Sequence, residues 1–145
     1  MNDWSDSDWE LRHEVIYKCR ISALYHRKRE RFFALCDKWT ISLSLIAGAS
    51  AMTDLIDLTN AKAIAGAVVV LVTMPAIVFS WTDKARTHAL LASKFTALEA
   101  EIEGAGVLEA ESLDKYKQRA LTLDIEEPPQ LSLLTRICQN ELAYA

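Results

Sequence analysis

The chain has 145 residues, of which 51% are hydrophobic, and a formal net charge of −4 at pH 7. This length and composition suit about one domain with a sizeable core. The three cysteines, Cys19, Cys36 and Cys138, are scattered, with no Cys-x-x-Cys pair and no histidine at ligand spacing. We therefore expect free buried thiols and no metal site, and we exclude a disulfide framework.

The charge is unevenly distributed along the chain. Residues 12–38 carry eight Lys and Arg against three acids, whereas residues 101–145 carry nine acids against four bases. The first ten residues are acidic and contain two tryptophans, the opposite of the basic start of a secretory signal peptide. We therefore expect no cleaved signal sequence.

The first predicted domain, residues 1–38, is an amphipathic helix that begins near Trp9 and leads directly into the first membrane span. Neither Gly nor Pro occurs between Trp9 and Lys38, and apolar residues recur at intervals of three and four, as on one face of a helix. Four of its basic residues stand shortly before an apolar stretch: Arg27, Lys28, Arg29 and Arg31. A nucleic-acid patch is the alternative, but the positive-inside rule predicts such a cluster beside a membrane span. We assign these four residues to the membrane interface and expect no nucleic-acid partner.

Two apolar stretches within residues 39–81 predict a transmembrane hairpin. The second, residues 63–81, has no charged side chain, and as a helix it covers ~28 Å, close to the thickness of the hydrocarbon core. The first stretch, about 39–58, is the weaker candidate, because only the fifteen residues 39–53 precede the charged Asp54. Trp39 and Trp81 stand at the two ends of the predicted hairpin, and tryptophans favour the membrane–water interface. A buried helix or two core strands of a soluble protein is the alternative for the second stretch.

Small side chains line one side of the first predicted span: Thr40, Ser44, Ala47, Gly48 and Ala51. The second span has small residues near its start, including Gly66. Small residues let another helix approach closely, so we predict a tight hairpin or contacts between copies in a homo-oligomer. The same face also suits the lining of a narrow pore, but Ser42 falls on the opposite side, and packing is the favoured interpretation.

The linker between the two spans predicts the topology. Residues 54–62 carry two acids and one base, far less positive charge than the segments that flank the hairpin. By the loop charge bias the protein is multi-pass, with both termini in the cytoplasm and the linker outside. Pro75 lies within the second span and removes a backbone hydrogen bond there, so we predict a kink, with a gating role as a further hypothesis.

The C-terminal region, residues 82–145, is predicted to contain three helices. The first continues from the second span without a break as far as Gly104, and the others cover residues 112–123 and 131–143, separated by prolines at 128–129. Their apolar stripes and excess of acids complement the basic N-terminal helix. The predicted fold is all-α: a two-helix transmembrane hairpin with a cytoplasmic helical bundle formed by the N-terminal and C-terminal helices.

No residue pattern in the chain predicts catalysis. We find no metalloprotease, nucleophile-elbow, P-loop or dinucleotide-binding motif in the sequence. Glu126 and Glu127 are adjacent and precede two prolines, so we interpret them as a solvated turn instead of a catalytic pair. His88 has no partner at motif spacing and is interpreted as a packing or interfacial residue. We expect neither enzymatic activity nor a cofactor.

The layout of residues 9–102 resembles the SLATT domains, small bacterial proteins with a membrane hairpin flanked by cytoplasmic helices. The matching features are the helix over residues 11–17, the basic run at 27–29, Trp39 at the start of the first span and the helix over 85–102. The resemblance implies an inner-membrane effector of bacterial conflict or anti-phage defence that oligomerises and permeabilises the membrane when a sensor partner is activated. No sensor domain is recognisable here, so the trigger would be a separate sensor or signalling protein, a small ligand bound by the helical bundle, or absent.

The sequence leaves several functions open. The leading hypothesis is a pore-forming or membrane-disrupting effector that oligomerises in the lipid bilayer. The alternative is a non-conducting scaffold, or a phage-encoded immunity-type protein, that binds a partner through its cytoplasmic helices. A soluble helical protein with a very apolar hairpin is a third and less favoured interpretation.

Overall fold

The computed structural model describes the backbone of residues 6–52, 59–106 and 110–144. Over these ranges it describes the side chains except at 6–7, 50–52, 59–62, 65, 76–77 and 110. Five helices contain nearly all of the described residues: α1 (Asp6–Met52), α2 (Thr59–Phe79), α3 (Trp81–Gly104), α4 (Ala110–Glu126) and α5 (Ser132–Ala143). The all-α prediction is confirmed.

The first helix is a single element of 47 residues, or ~70 Å of helix at 1.5 Å per residue. It begins close to the predicted start near Trp9, where the early acid Asp8 suits the positive end of the helix dipole. Its continuity follows from the absence of Gly and Pro throughout residues 6–47. The amphipathic segment and the first apolar stretch therefore belong to one helix, as predicted.

The predicted unbroken helix from the second apolar stretch to Gly104 is wrong. Ser80 separates α2 from α3 with a φ of 45°, in the left-handed region that cannot continue a right-handed helix. The amide of Lys84 donates to the carbonyl of Ser80 at 3.1 Å, so helical bonding resumes at once. A single serine carries none of the strong helix-breaking preference of Gly or Pro, and the sequence pattern therefore did not mark this break.

The remaining helix ends agree with the sequence-based expectations. The third helix ends at Gly104, and Gly106 just beyond it has a φ of 66°, a backbone conformation that glycine adopts without strain. The fourth helix extends slightly beyond the predicted 112–123 at both ends. The prolines at 128–129 lie between α4 and α5, where a proline ring prevents helical continuation.

The described residues form two compact units. Unit 1 draws on Met1–Lys28 and His88–Ala145, and unit 2 on Arg29–Thr87. Unit 2 thus includes the whole segment 39–81 for which the hairpin is predicted. The domain boundaries at residues 38 and 81 stay predictions.

Unit 1 has a core made by α1, α3 and α4. Its members recur at helical spacing and are Val15, Ile16, Cys19, Ala23, Phe95, Leu98, Ile102 and Ala120. Full burial of a side chain as large as Phe95 or Ile102 contributes about 1.5–3 kcal/mol. The apolar stripes predicted for the N-terminal and C-terminal segments therefore pack against one another in this unit.

Ion pairs connect the basic first helix to the acidic helices of unit 1. They are Lys18–Asp124, Arg20–Glu99, Arg20–Glu103 and Lys28–Glu141. These side chains are partly exposed, and pairs in such positions contribute about 0–1 kcal/mol each. Charge thus selects which helices pair, whereas apolar burial stabilises the contact.

Candidate membrane surface and a buried histidine cluster

Unit 2 leaves many large apolar side chains exposed on α1 and α2, although Phe33 is buried. On α1 the exposed fractions rise to 61% at Ile41, 73% at Leu45 and 67% at Ile46. On α2 the exposed residues are Ile64, Val68, Val70, Leu71, Met74, Val78 and Phe79. A contiguous apolar surface of this kind marks a site that binds a membrane or another protein.

By length and composition, one helix in the described part of the chain is long and apolar enough to cross a membrane. This helix runs over Asp8–Ala49 within α1, and a shorter apolar helical stretch occupies Gly66–Pro75 within α2. The first predicted span, about 39–58, begins in the former, and its end lies partly outside the described residues. The second span, 63–81, stays a prediction.

The predicted small-residue face has no close neighbour at its glycines. A Cβ atom built on Gly48 or on Gly66 would meet no atom within 4 Å. The Oγ of Ser44 is buried and has no hydrogen-bond partner within the described residues, whereas Thr40 donates to the carbonyl of Cys36 at 2.9 Å. Ala47 is half-buried. The side chain of Ala51 lies outside the described residues.

Pro75 is exposed and lies inside α2, which is assigned as helix on both sides of it. Its ring removes one amide donor from the backbone, so the carbonyl near Leu71 loses its usual helical partner. The backbone break that the structure shows is five residues further along, at Ser80. A kink and a gating role at Pro75 stay predictions.

The predicted interface residues fall into two groups. Arg27 donates to the hydroxyl of Thr96 at 3.1 Å, and Lys28 pairs with Glu141 at 2.5 Å, so unit 1 uses these two cations internally. In unit 2, Trp39 and Arg31 are exposed. Trp81 is half-buried and stacks on two phenylalanines, and the guanidinium of Arg29 lies over one of them.

A cluster of buried polar side chains in unit 1 was not predicted as a site. His26 Nδ1 lies 2.7 Å from His88 Nδ1, and His26 Nε2 lies 2.9 Å from Glu127 Oε1. The exposed fractions are 0% for His26, 3% for His88 and 2% for the Glu127 side chain. The interpretation of Glu127 as part of a solvated turn is therefore wrong, because the α4–α5 connection folds back over α1. Glu126 does remain exposed and pairs with Lys94 at 2.5 Å.

The hydrogen positions in this histidine cluster are restricted by its geometry. Gln130 donates to the second carboxylate oxygen of Glu127, and an ionised Glu127 accepts on both oxygens, with Nε2 of His26 as the donor to the first. Between the two Nδ1 atoms one nitrogen donates and the other accepts. The cluster therefore holds a single hydrogen between its imidazoles, and a second hydrogen there would set two N–H groups against each other.

Aromatic contacts fix the orientation of the histidine cluster. The ring of Phe95 stacks on His26 at a centroid distance of 5.9 Å, and Tyr25 meets His26 edge-on at 5.3 Å. The Tyr25 hydroxyl accepts a hydrogen bond of 3.0 Å from the amide of Leu131, the residue that precedes α5. The cluster thus joins α1, α3 and the connection that leads to α5. A fully buried imidazole such as His26 presents no nitrogen to a substrate in solvent, so this role is structural.

One sequence signal could have located the cluster. His26 and His88 both fall on the apolar faces of their helices, where a polar side chain needs a buried partner. The two residues are 62 positions apart, and Glu127 is 101 positions from His26. Helical periodicity identifies the buried face of each helix but not the register between helices, so it could not pair them.

The described residues contain neither a cysteine with a lowered thiol pKa nor a cluster of potential metal ligands. Cys19, Cys36 and Cys138 are free, as predicted, with Cys36 half-buried and the other two buried. Burial raises the pKa of the Cys19 thiol from 9.0 to about 11 and raises the pKa of Cys138, so both remain protonated near neutral pH. No group of three or more His, Cys, Asp or Glu there is arranged to hold a metal ion.

Comparison with protein-family models, with curated proteins and with solved structures finds no match to this chain.

Proposed function

We propose that this chain is a multi-pass protein of the bacterial inner membrane that forms homo-oligomers and permeabilises the membrane as an effector. The observation that supports insertion is the exposed apolar surface of unit 2, with Leu45 and Leu71 more than 70% exposed. Apolar surface left in water costs about 25 cal/mol per Å², and a lipid environment removes that cost. In this proposal, residues 39–58 and 63–81 cross the bilayer as a hairpin.

The charge distribution supports a cytoplasmic location for both termini. The segments before and after the hairpin contain Lys and Arg, whereas the linker at 54–62 carries two acids and one base. Positively charged flanks stay on the cytoplasmic side. Unit 1 would then form the cytoplasmic helical bundle, available to a separate sensor protein.

Self-association is supported by the small-residue face of α1. A Cβ atom added at Gly48 or Gly66 would meet no atom within 4 Å, so there is open space beside both glycines. Membrane helices associate where small residues allow close approach. A neighbouring copy that packs beside these glycines would fill that space.

The pore-forming step is supported by the resemblance to SLATT domains. In that arrangement an activated sensor causes the membrane helices to assemble and permeabilise the inner membrane. Within unit 2, the described residues between Trp39 and Ala49 contain no charged side chain, so any conducting path along this part of α1 would be lined by hydroxyl and small side chains.

Induced expression in bacteria with a membrane-potential dye tests this function. We expect depolarisation by the wild-type chain and its loss in Ser44→Leu/Gly48→Leu, because two leucines would occupy the face that packs between copies. The matched control is Ser42→Leu/Ala49→Leu. These two positions share a face of α1 that lies away from Ser44, at 100° per residue.

The control gives this experiment its specificity. Both double variants add two leucines to the same exposed helix, so they change its hydrophobicity to a similar extent. The proposal requires the control to depolarise like the wild type. Normal potential in cells that express the wild type together with its inducing signal would contradict it, as would equal loss of activity in both variants.

A non-conducting scaffold is the second candidate function. It is favoured by the outer face of α5, where Leu133 is 72% exposed and Ile137, one turn later, is 46% exposed. Two apolar residues at this spacing suit a partner helix. The mass of the detergent-purified particle separates the candidates: a ring of several copies favours the effector, and a monomer or dimer favours the scaffold.

A further inference from the structure

Two cations of unit 2 share one aromatic platform, which we call the boundary cluster and define as Arg29, Phe33, Phe79, Trp81 and Lys84. Phe33 and Trp81 stack with centroids 5.8 Å apart, and Phe79 stacks on Trp81 at 5.3 Å. The Arg29 guanidinium carbon lies 4.7 Å from the centroid of Phe33. The Lys84 Nζ lies 5.9 Å from that centroid and 5.3 Å from the centroid of Phe79.

Neither cation of the boundary cluster has a carboxylate partner in the described part of the chain. This contrasts with unit 1, where Lys94 pairs with Glu126 and Arg119 pairs with Glu101. The Arg29 Nε is buried without a hydrogen-bond acceptor there. Asp37, a nearby acid, instead accepts from the hydroxyl of Thr82 at 3.1 Å. The platform therefore holds two positive charges that contact aromatic rings but have no carboxylate partner among the described residues.

The position of the boundary cluster along the chain restricts the anion that would bind it. Trp81 stands at the end of the second apolar stretch, and the exposed apolar residues of α1 begin within a few turns of Arg29. Aromatic residues beside cations are typical of the headgroup depth of a bilayer. If unit 2 crosses the membrane as proposed above, the cluster lies where lipid phosphates are concentrated.

We propose that the boundary cluster binds the phosphate of an anionic phospholipid headgroup. The Arg29 guanidinium would donate to two phosphate oxygens, the geometry in which arginine recognises phosphate. Lys84 would act as a second point charge, and Phe79, which is 48% exposed, would contact the apolar part of the lipid beside the half-buried Trp81. This inference rests on the proposed membrane insertion and adds a lipid specificity to it.

Fluorescence quenching of Trp81 tests the headgroup proposal. A variant that keeps Trp81 as its only tryptophan, with Trp4→Phe, Trp9→Phe and Trp39→Phe, is reconstituted in phosphatidylcholine vesicles that contain a minority of brominated lipid. The brominated lipid is either phosphatidylglycerol or phosphatidylcholine. We expect brominated phosphatidylglycerol to be enriched beside Trp81 by at least about fivefold, the factor that corresponds to one Lys or Arg near an anionic surface.

Two charge-matched variants of this protein separate a local site from general attraction. Arg29→Gln/Lys84→Gln should reduce the enrichment to near unity. Lys94→Gln/Arg119→Gln removes the same charge from unit 1 and should keep the enrichment. Arg29→Lys/Lys84→Arg keeps both charges and should keep most of it. Equal enrichment in the first two variants would overturn the proposal.

Further arms of the experiment identify the source of the phosphate and the state of the protein. Excess inorganic phosphate, compared with chloride at equal ionic strength, should leave the enrichment unchanged, and its loss would show a general anion site instead of a lipid site. Equal quenching by both brominated lipids would overturn the headgroup proposal while leaving membrane insertion intact. Quenching by neither lipid, together with release of the protein by carbonate, would contradict insertion itself.

Discussion

Unit 1 and unit 2 consist of the same kind of helix, and both expose apolar side chains, but among the described residues the packed core cluster lies in unit 1. Unit 1 buries apolar side chains such as Phe95 and Ile102 completely and pairs cations such as Arg20 and Lys28 with carboxylates. Unit 2 exposes Leu45 and Leu71 to more than 70% and leaves the cations of its boundary cluster without a carboxylate in the described residues. The first pattern is that of a domain stabilised by its own core. The second is that of an apolar surface that the described part of the chain leaves uncovered.

The comparison also shows how polar groups are handled in each unit. Unit 1 buries two imidazoles and a carboxylate, but satisfies them through contacts of 2.7 Å and 2.9 Å. Unit 2 buries the Nε of Arg29 and the Oγ of Ser44 without partners among the described residues, and unit 1 likewise buries the Oδ1 of Asp124. Buried polar groups are normally hydrogen-bonded, so the units differ in the histidine cluster of unit 1 and not in the presence of orphaned polar atoms.

A Leu→Ala substitution should change the free energy of unfolding much more in unit 1 than in unit 2, and this is the largest difference that we expect. Leu98→Ala empties a position that is 2% exposed, and Leu71→Ala trims one that is 72% exposed. We expect the first to lower the free energy of unfolding of unit 1 by about 2–5 kcal/mol because it leaves a cavity. The second should change it by less than about 0.5 kcal/mol. Urea unfolding of the detergent-solubilised protein, followed by hydrogen exchange of α3 and α4, measures both.

Similar losses from Leu98→Ala and Leu71→Ala would contradict the comparison. That result would mean that the apolar face of α2 supports unit 1 directly. A small loss from Leu98→Ala alone would mean that unit 1 lacks the packed core described here.

The histidine cluster should stabilise unit 1 more than an exposed histidine does. His26 and His88 are both buried, and their Nδ1 atoms lie 2.7 Å apart. Removing one partner of a buried hydrogen bond leaves the other group unsatisfied, which lowers the free energy of unfolding.

His88→Leu tests this contribution, because leucine occupies the same buried position but offers no hydrogen-bonding atom to His26. We expect the free energy of unfolding of unit 1 to fall by about 1–3 kcal/mol, measured by urea unfolding. His13→Leu is the control because His13 is exposed. Equal losses in the two variants would show that the cluster does not stabilise unit 1.

Removing a surface charge should have the smallest effect on the free energy of unfolding, and the effect should again be larger in unit 1 than in unit 2. Arg119→Gln removes a two-oxygen contact with Glu101 at 2.8 Å and 2.9 Å in which both side chains are about half exposed. We expect a loss of up to about 1 kcal/mol. Arg31→Gln in unit 2 breaks no ion pair in the described residues and should be near zero. The same unfolding measurement at low salt compares them, and a loss above about 2 kcal/mol in either variant would be inconsistent with this account.

Part of the fold was predictable because its causes are local. The continuity of α1 follows from a long run without Gly or Pro, and the end of α3 at Gly104 follows from glycines that accept left-handed backbone. The break at Ser80 was not predictable in this way. It depends on the single left-handed residue Ser80, and a serine side chain has no strong preference for that conformation. The rings of Phe79 and Trp81, on either side of Ser80, stack on each other, and this contact is visible only in the structure.

The sequence by itself determined the all-helical class, most helix ends, the apolar faces and the free cysteines, because each depends on residues within a few turns of one another. Only the tertiary structure brought His26 to His88 and Glu127, placed Arg29 and Lys84 over one ring, and left open space beside Gly48. The physical reason is that contacts between residues 62 or 101 positions apart depend on how helices are set against each other. Periodicity specifies which face of a helix is buried, but packing alone decides which side chains meet there.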